Sequence, residues 1–168
     1  TQLPIPKLMR WGRGECTFAR PVHNVLALYG EQIVPMSLFG LTANNHTVGH
    51  RFHHPEKIVI AQPNEYAEQL RKAFVIVDFK KRRDNIKSQL DEMAQTQDAS
   101  VFSSPALLDE VAAIVEWPVA VLGHFDDQFL SVPEEVLMLS MQTHQKYFPL
   151  KDNNHRLLAR FITISNIV

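Results

Sequence analysis

In "DFKKRRDNIKSQLDEMAQTQ" (78–97), Phe79, Ile86, Leu90 and Met93 recur on one stripe at helical spacing, with charged and polar residues between them. That period predicts an amphipathic helix, and Asp78 in front of it is a suitable N-cap. A second helix is expected from "SSPALLDEVAAIVEW" (103–117), with Ser104 as N-cap, Pro105 at the first helical position, and Leu107, Leu108, Val111, Ile114 and Val115 as its apolar face. A third is expected in "SVPEEVLMLSMQTHQ" (131–145), where Ser131 and Glu134 have capping-box spacing. Its inner stripe would hold Val136, Leu137, Ser140, Met141 and a semi-buried His144. "NEYAEQLRKAF" (64–74) predicts a shorter helix.

The remaining apolar runs are short and bounded by Gly and Pro, which reads as strands and turns. "TFARPVHNVLALYG" (17–30) and "EQIVPMSLFGLTA" (31–43) supply strands and turns, and "KIVIAQP" (57–63), "VIVD" (75–78), "PVAVLGHF" (118–125) and "RLLARFITISNIV" (156–168) one strand each. The expected fold class is α+β: a largely antiparallel sheet with about three to four helices packed on one face, forming a single domain over residues 1–168.

Composition narrows the function classes. The 168 residues are 45% hydrophobic and 21% charged, ordinary values for a water-soluble domain with a real core. A single cysteine, Cys16, excludes a disulfide framework within the chain and a cysteine-rich zinc module, and fits a reducing cytoplasm. No apolar run reaches the roughly 18–20 residues of a membrane span, so no membrane partner is expected. "TQLPIPKLMR" (1–10) has no apolar core of a secretory signal and no initiating methionine, and a segment of a longer chain is expected.

Charge is unevenly spread. Residues 1–87 carry 13 Lys/Arg against 7 Asp/Glu, residues 88–145 carry none against 10, and residues 146–168 carry 4 against 1. Two faces of opposite potential could follow, one suited to a polyanion; local helix bias is the competing explanation. The densest run is "KKRR", with Lys80, Lys81, Arg82 and Arg83. Lys80, Arg83 and Lys87 share a helical face beside the apolar stripe and could follow a phosphate backbone, although Asp84 and Asp91 would offset part of that charge.

Candidate chemistry concentrates in "HTVGHRFHHP" (46–55), which holds four of the eight histidines. Spacings of four, seven and eight would share a helical face, but Asn44, Asn45, Thr47, Val48, Gly49 and Pro55 oppose a helix there. In extended chain His46, His50 and His54 stand too far apart to converge unaided, so no metal site is expected. Arg51 could fork onto a phosphate, and Phe52 or a histidine could stack on an unpaired base. Between these, His50 and Phe52 are expected to hold the fold, with Arg51 the better candidate to reach for RNA. Nucleophile candidates are thin: Cys16 with His23 or His50 would be the set for a hydrolase, Ser103 and Ser104 suit helix caps better, and Asp126 with Asp127 suits a turn. No phosphate-binding glycine loop or nucleophile elbow is present. No catalytic residue is assigned.

Several ordered strings resemble the beta chain of the two-subunit bacterial glycyl-tRNA synthetase: "MRWG" (9–12), "FARPVHN" (18–24), "TVGHRFHHP" (47–55), "LLDEVAAIVEWPVAVLGHF" (107–125), "FLSVPEEVL" (129–137), "MQTHQKYFPL" (141–150) and "FITISNI" (161–167). They span nearly the whole chain. One departure stands out, Asn24 in the place where the family usually has tryptophan; of the four histidines, only His50 lies inside the family's T-x-G-H-R-F pattern. The resemblance implies a non-catalytic part of a class II glycine–tRNA ligase, from the amino-terminal half of a longer beta chain and lacking its anticodon-binding region. It implies an assembly of two alpha and two beta chains in the cytoplasm, glycine tRNA as the RNA partner, and no cofactor in this part, ATP with magnesium being used by the alpha chain. It also implies a fold like the editing-type domain of phenylalanyl-tRNA synthetase beta chains. The RNA-contact candidates are Arg10, Arg13, Arg20, His50, Arg51, Lys80, Lys81, Arg82, Arg83 and Lys87. A pure scaffold is the alternative, motivated by the acidic middle and the apolar "FITISNIV" (161–168); an aminoacyl-tRNA editing hydrolase is a third reading.

Overall fold

A computed structural model of the chain describes residue 5 and residues 7–167. Val168, placed by the sequence reading at the end of the last strand, lies outside the described residues. The first third is a run of two-residue and three-residue strands paired as antiparallel hairpins: β1 (Met9–Arg10) with β2 (Thr17–Phe18), β3 (Leu28–Tyr29) with β4 (Gln32–Ile33), β5 (Ser37–Leu38) with β6 (Leu41–Thr42), and β7 (His46–Val48) with β8 (Lys57–Val59). A 3₁₀ turn at Pro63–Glu65 leads into α1 (Tyr66–Lys72), and the long helix α2 (Phe79–Gln95) follows. Then come β9 (Ser100–Val101), α3 (Pro105–Ile114), β10 (Val119–His124), α4 (Glu134–Leu139) continued by a π-helical turn at Ser140–Gln145, β11 (Phe148–Lys151) and β12 (Leu157–Ser165). The last part builds one four-stranded antiparallel sheet in the order β10-β12-β11-β9. The α+β class and the antiparallel pairing are therefore as expected.

Two apolar clusters hold the chain. The larger joins Ile86, Leu90 and Ala94 of α2 to Leu107, Leu108, Val111 and Ala112 of α3, and both helices to Phe148, Leu150 and Ile162 of the sheet. Each of these side chains is withdrawn from water, which is the main favourable term in folding. The smaller is Ile58, Ile60, Leu70 and Ala73, beneath the β7–β8 hairpin and α1. Leu158, Ile162 and Ile164 of β12 all pack on the α2–α3 side. By strand alternation Phe161 faces the other way, where its ring stacks on Tyr147 at 4.2 Å and shares a small apolar cavity with Leu137 and Met141. The helix α4 and its π turn thus serve the opposite face of the sheet, so the helices are not confined to one side.

Local chemistry explains where the predicted elements form. Asp78 accepts from the Lys81 N–H at 2.9 Å and Ser104 Oγ from the Leu107 N–H at 3.1 Å, the expected caps of α2 and α3. The expected Ser131–Glu134 box does not form. Proline disfavours helical backbone in the residue before it, so Val132 is extended and ends a 3₁₀ turn. α4 starts only after Pro133, Ser131 Oγ donates to the Gln128 carbonyl, and Glu134 pairs with Lys151. The π turn then shifts the helical phase, and His144 is exposed rather than semi-buried. Phe79 and Ile114, assigned to inner stripes, are 44% and 58% exposed because they sit at helix ends beyond the packed core. "VIVD" is extended but joins no sheet, its Ile76 N–H donating to the Glu116 carbonyl. The strand β11 was not expected at all: Pro149 lacks a ladder donor, and a register shift between Pro149 and Lys151 accommodates it inside the sheet. In "FITISNIV", the segment read as a docking surface, residues 161–165 belong to β12, an internal strand.

The seam between the clusters is held by Arg82. Its guanidinium donates to the Ala112 carbonyl at 2.7 Å and to the Ile76 carbonyl. Ala112 lies in the last turn of α3, whose carbonyls lack helical partners and carry the negative end of the helix dipole. In Arg82→Met both carbonyls lose a charged donor, and urea unfolding should show a loss of about 1.5–3 kcal/mol; Lys81→Met, on an exposed side chain, should stay within about 0.5 kcal/mol.

The turn from β11 to β12 gives a pH prediction. The Arg156 and Asn154 N–H groups bond Asp152 Oδ1, and the Arg156 guanidinium approaches Oδ2. The Arg156 backbone N–H chiefly holds the Asp152 carboxyl below its ordinary range, against a smaller opposing effect of desolvation. A depressed folded-state pKa stabilises above the unfolded value, and that contribution is lost as pH falls through the folded value. An NMR titration should therefore find the Asp152 carboxyl protonating below the ordinary aspartate range, and Asp152→Asn should flatten the acid limb of the stability profile.

Candidate nucleic-acid interface

The four clustered histidines take four different environments. His46 lies in β7, where its carbonyl accepts from the Asn24 side chain at 2.6 Å and its N–H donates to Asn44 Oδ1 at 2.9 Å. His50 is buried, at 1% exposure. His53 packs its ring between those of His50 and Phe74, at 4.6 and 5.0 Å. His54 Nδ1 is 3.4 Å from a Glu56 carboxylate oxygen, within ion-pair reach when protonated but outside hydrogen-bond geometry. Among the described residues, no three His, Cys, Asp or Glu side chains are grouped to hold a metal ion.

The turn after β7 is fixed from beneath. The His50 N–H donates to the Ala73 carbonyl at 2.9 Å, and the His54 N–H closes the turn onto the His50 carbonyl at 2.8 Å. His50 Nδ1 accepts from the N–H groups of Phe52 and His53, both at 3.3 Å. That arrangement requires Nδ1 to be unprotonated and puts the ring proton of the neutral form on Nε2. Gly49 allows the approach: a Cβ there would sit 2.6 Å from the Ala73 Cβ and 2.8 Å from the Ala73 carbonyl oxygen. Beyond Ala73 the chain turns through Phe74, whose φ of +60° is unusual for a bulky residue at a helix exit. Its ring bridges His53 to Trp117, 5.3 Å further on, and so ties this turn to the segment before β10.

On this base, Arg51 and Phe52 are exposed. Phe52 is 64% exposed, and the Arg51 guanidinium carbon lies 5.7 Å from its ring centre. Phe52 is therefore not a core residue, which corrects the structural role given to it, whereas burial of His50 removes that residue from direct RNA contact. The period-two pattern of the hairpin could have signalled this: Ile58 is buried while Val48, Lys57 and Val59 face water, so the turn leaves the hairpin on its solvent side.

The other candidates divide sharply. Arg10, Arg13 and Arg20 all belong to the β1–β2 hairpin or its flank, are exposed, and have no carboxylate partner among the described residues. That hairpin is held to the β5–β6 turn by the rings of Trp11 and Phe18 on Phe39, at 5.8 and 5.2 Å. Lys81 is likewise exposed and without an acid partner among the described residues. Lys80 pairs with Asp84 at 2.6 Å, and that hydrogen bond holds its ammonium above the ordinary lysine range. Lys87 pairs with Asp91, and Arg83 crosses to Asp109 on α3. Arg82 is half-buried, and its guanidinium is turned onto the Ala112 and Ile76 carbonyls. The run "KKRR" therefore does not form a continuous cationic row. Cys16 and His23 are exposed while His50 is enclosed, and no hydrogen bond joins any two of them among the described residues. No helix of the described residues is long and apolar enough to cross a membrane.

An α+β unit with a cationic hairpin and a histidine-locked turn is the class defined so far; comparison with known proteins gives the family. The family model described as "Glycyl-tRNA synthetase beta subunit" matches residues 1–168. The chain is 47% identical over 165 residues to the glycine–tRNA ligase beta subunit of Pseudomonas entomophila (strain L48), covering 98% of this chain and 24% of that protein. It is 47% identical over 167 residues to the corresponding subunit of Neisseria meningitidis serogroup A, covering 99% of this chain and 24% of the relative. This chain belongs to the glycyl-tRNA synthetase beta subunit family. It spans about a quarter of the length of the relatives it matches.

Two substitutions test the lock. Gly49→Ala must push α1 and the turn apart, at a cost of about 1–3 kcal/mol in thermal or urea unfolding. His50→Leu nearly keeps the side-chain volume but leaves two N–H groups without an acceptor, for a comparable loss of about 1–3 kcal/mol. Hydrogen exchange at Phe52 and His53 should accelerate in both.

Proposed function

We propose that this chain is a non-catalytic part of a glycine–tRNA ligase beta chain, supporting tRNA binding and enzyme assembly while an alpha chain joins glycine to tRNA with ATP and magnesium. The setting is a cytoplasmic enzyme of class II with two alpha and two beta chains, and glycine tRNA is the RNA partner. The observation that carries the reading is a set of exposed cations with no carboxylate partner among the described residues, which includes Arg10, Arg13 and Arg20 on one hairpin and its flank, with Arg51 and Lys81. Neighbouring acids meet the charges of Lys80, Arg83 and Lys87, whereas these cations stay open to a ligand. Cations left open suit phosphates, which position an RNA without reading its sequence. An assembly role draws separate support from the exposed apolar side chains of β3 to β5, with Tyr29 at 83%, Ile33 at 44% and Leu38 at 45%.

The test uses the assembled enzyme with a full-length beta chain. Arg10→Glu, Arg13→Glu and Arg51→Glu should each weaken binding of glycine tRNA, and each lost phosphate contact should lower the slope of log K against log salt by about 0.7–0.9. Lys87→Glu should matter less, because its charge is already met by Asp91. Unchanged binding and aminoacylation across the first three variants would remove the RNA-supporting role and leave assembly.

A further inference from the structure

We propose that Phe52 and Arg51 form a stacking site for one unpaired nucleotide of the bound RNA, presented by the histidine-locked turn; this rests on the RNA-supporting reading above. A phenylalanine 64% exposed on a turn loses the benefit of burying its ring. The turn is nevertheless tightly determined: His50 N–H and carbonyl are both bonded, His50 Nδ1 holds the Phe52 and His53 N–H groups, and Gly49 is pressed on Ala73. A rigid support beneath an exposed aromatic lowers the ordering cost when a ligand arrives. Phe52 carries a π face for a base, and Arg51 beside it can reach the phosphate of the same nucleotide or extend the stack with its planar guanidinium.

Charge favours a nucleotide as the occupant. Lys57, opposite Val48 in the hairpin register, is exposed at the far end of the turn and adds a second cation to Arg51 around Phe52. The one acid of the turn, Glu56, stands against His54. Stacking requires a free base face, so the site takes a loop, bulge or end of the RNA and refuses a duplex.

The enzyme assembled with its full-length beta chain supplies the test, with glycine tRNA and with one oligoribonucleotide offered single-stranded and as a duplex. Phe52→Leu should weaken tRNA binding about tenfold, within the factor of ~5–150 that one base–aromatic stack is worth, and leave the salt slope unchanged. Phe52→Tyr should bind within about twofold of wild type, since the ring is kept. Arg51→Gln should weaken binding and lower the salt slope, and the preference for the single-stranded oligonucleotide should shrink only in the Phe52→Leu and Arg51→Gln enzymes. Thermal unfolding should not change in Phe52→Leu. Should that variant unfold early, 4-thiouridine-substituted tRNA crosslinked to wild-type enzyme decides: an adduct at Phe52 on an unpaired nucleotide supports the site, and its absence from residues 49–56 overturns it.

Wild-type affinity in Phe52→Leu, alongside weakened binding in Arg10→Glu and Arg13→Glu, overturns the stacking site and spares the RNA-supporting role. Wild-type affinity in all of them overturns both. Wild-type RNA affinity with loss of alpha-chain co-purification in Phe52→Leu assigns the exposed ring to a protein contact and overturns the nucleotide site.

Discussion

The described fold depends on how Arg82 is satisfied. The chain changes character at residues 74–82, leaving a mosaic of short hairpins for a conventional helix-on-sheet layer. At that junction the helix α3 ends with unpaired carbonyls and the segment through Ile76 runs extended with no strand beside it. A buried carbonyl without a donor costs a large part of a hydrogen bond. The Arg82 guanidinium meets one carbonyl on each side, Ala112 and Ile76, and the Ile76 N–H completes the link on Glu116. A guanidinium suits this task because its donors are fixed in a planar fork and its charge stays on. The aromatic series of His53, Phe74 and Trp117 crosses the same junction. The two apolar clusters are thereby connected through polar and aromatic links.

That junction also explains how a surface turn can be firm. The residues of "GHRFHH" divide between two tasks within a few ångströms. Gly49, His50 and His53 face α1 and the aromatic series, while Arg51 and Phe52 face water. Such a division needs a side chain that can act as an acceptor for backbone N–H groups inside the fold. Histidine in its neutral form has that nitrogen, and the size of its ring fills the space beside His53. A leucine would fill the space and strand the N–H groups, whereas an asparagine lacks the ring.

The legible part of the sequence was the part governed by local rules. The caps Asp78 and Ser104, Pro105 at the start of α3, and the buried stripe of Ile86 and Leu90 follow from spacing and from hydrogen bonds within one turn. So does the existence of β10 and β12, each read from an apolar run of strand length. What was not legible depends on partners distant in sequence. Pro149 enters an internal strand only because a register shift takes up its missing donor. The Ser131–Glu134 spacing was outweighed by Pro133 between them, whose constraint on Val132 is stronger than a capping bond. Within the site, "KKRR" read as four equivalent cations. In the fold they differ: one is open, two are paired with acids, and one is turned onto carbonyls. Composition reports how many charges a segment has, and only the placement of Asp84, Asp109 and Ala112 decides which of them remain available.

The distribution of acids gives this availability a reason. Residues 88–145 contain ten Asp and Glu and no Lys or Arg, so their carboxylates find cations only outside that segment. Asp91 and Asp109 take Lys87 and Arg83, Glu110 takes Lys146 and Glu134 takes Lys151. Each pairing consumes a cation of α2, of the turn after the π helix, or of β11. None of these acids pairs with the β1–β2 hairpin, where Arg10, Arg13 and Arg20 retain their charge among the described residues. Exposed ion pairs contribute little to stability, so the acid-rich middle matters less as a source of stability than as a filter: it neutralises the basic helix and leaves open the cations borne by hairpins and turns. On the proposed RNA-supporting reading, the cations left for a polyanion are therefore those of the β1–β2 hairpin and Arg51 rather than those of the helix that looks basic in sequence.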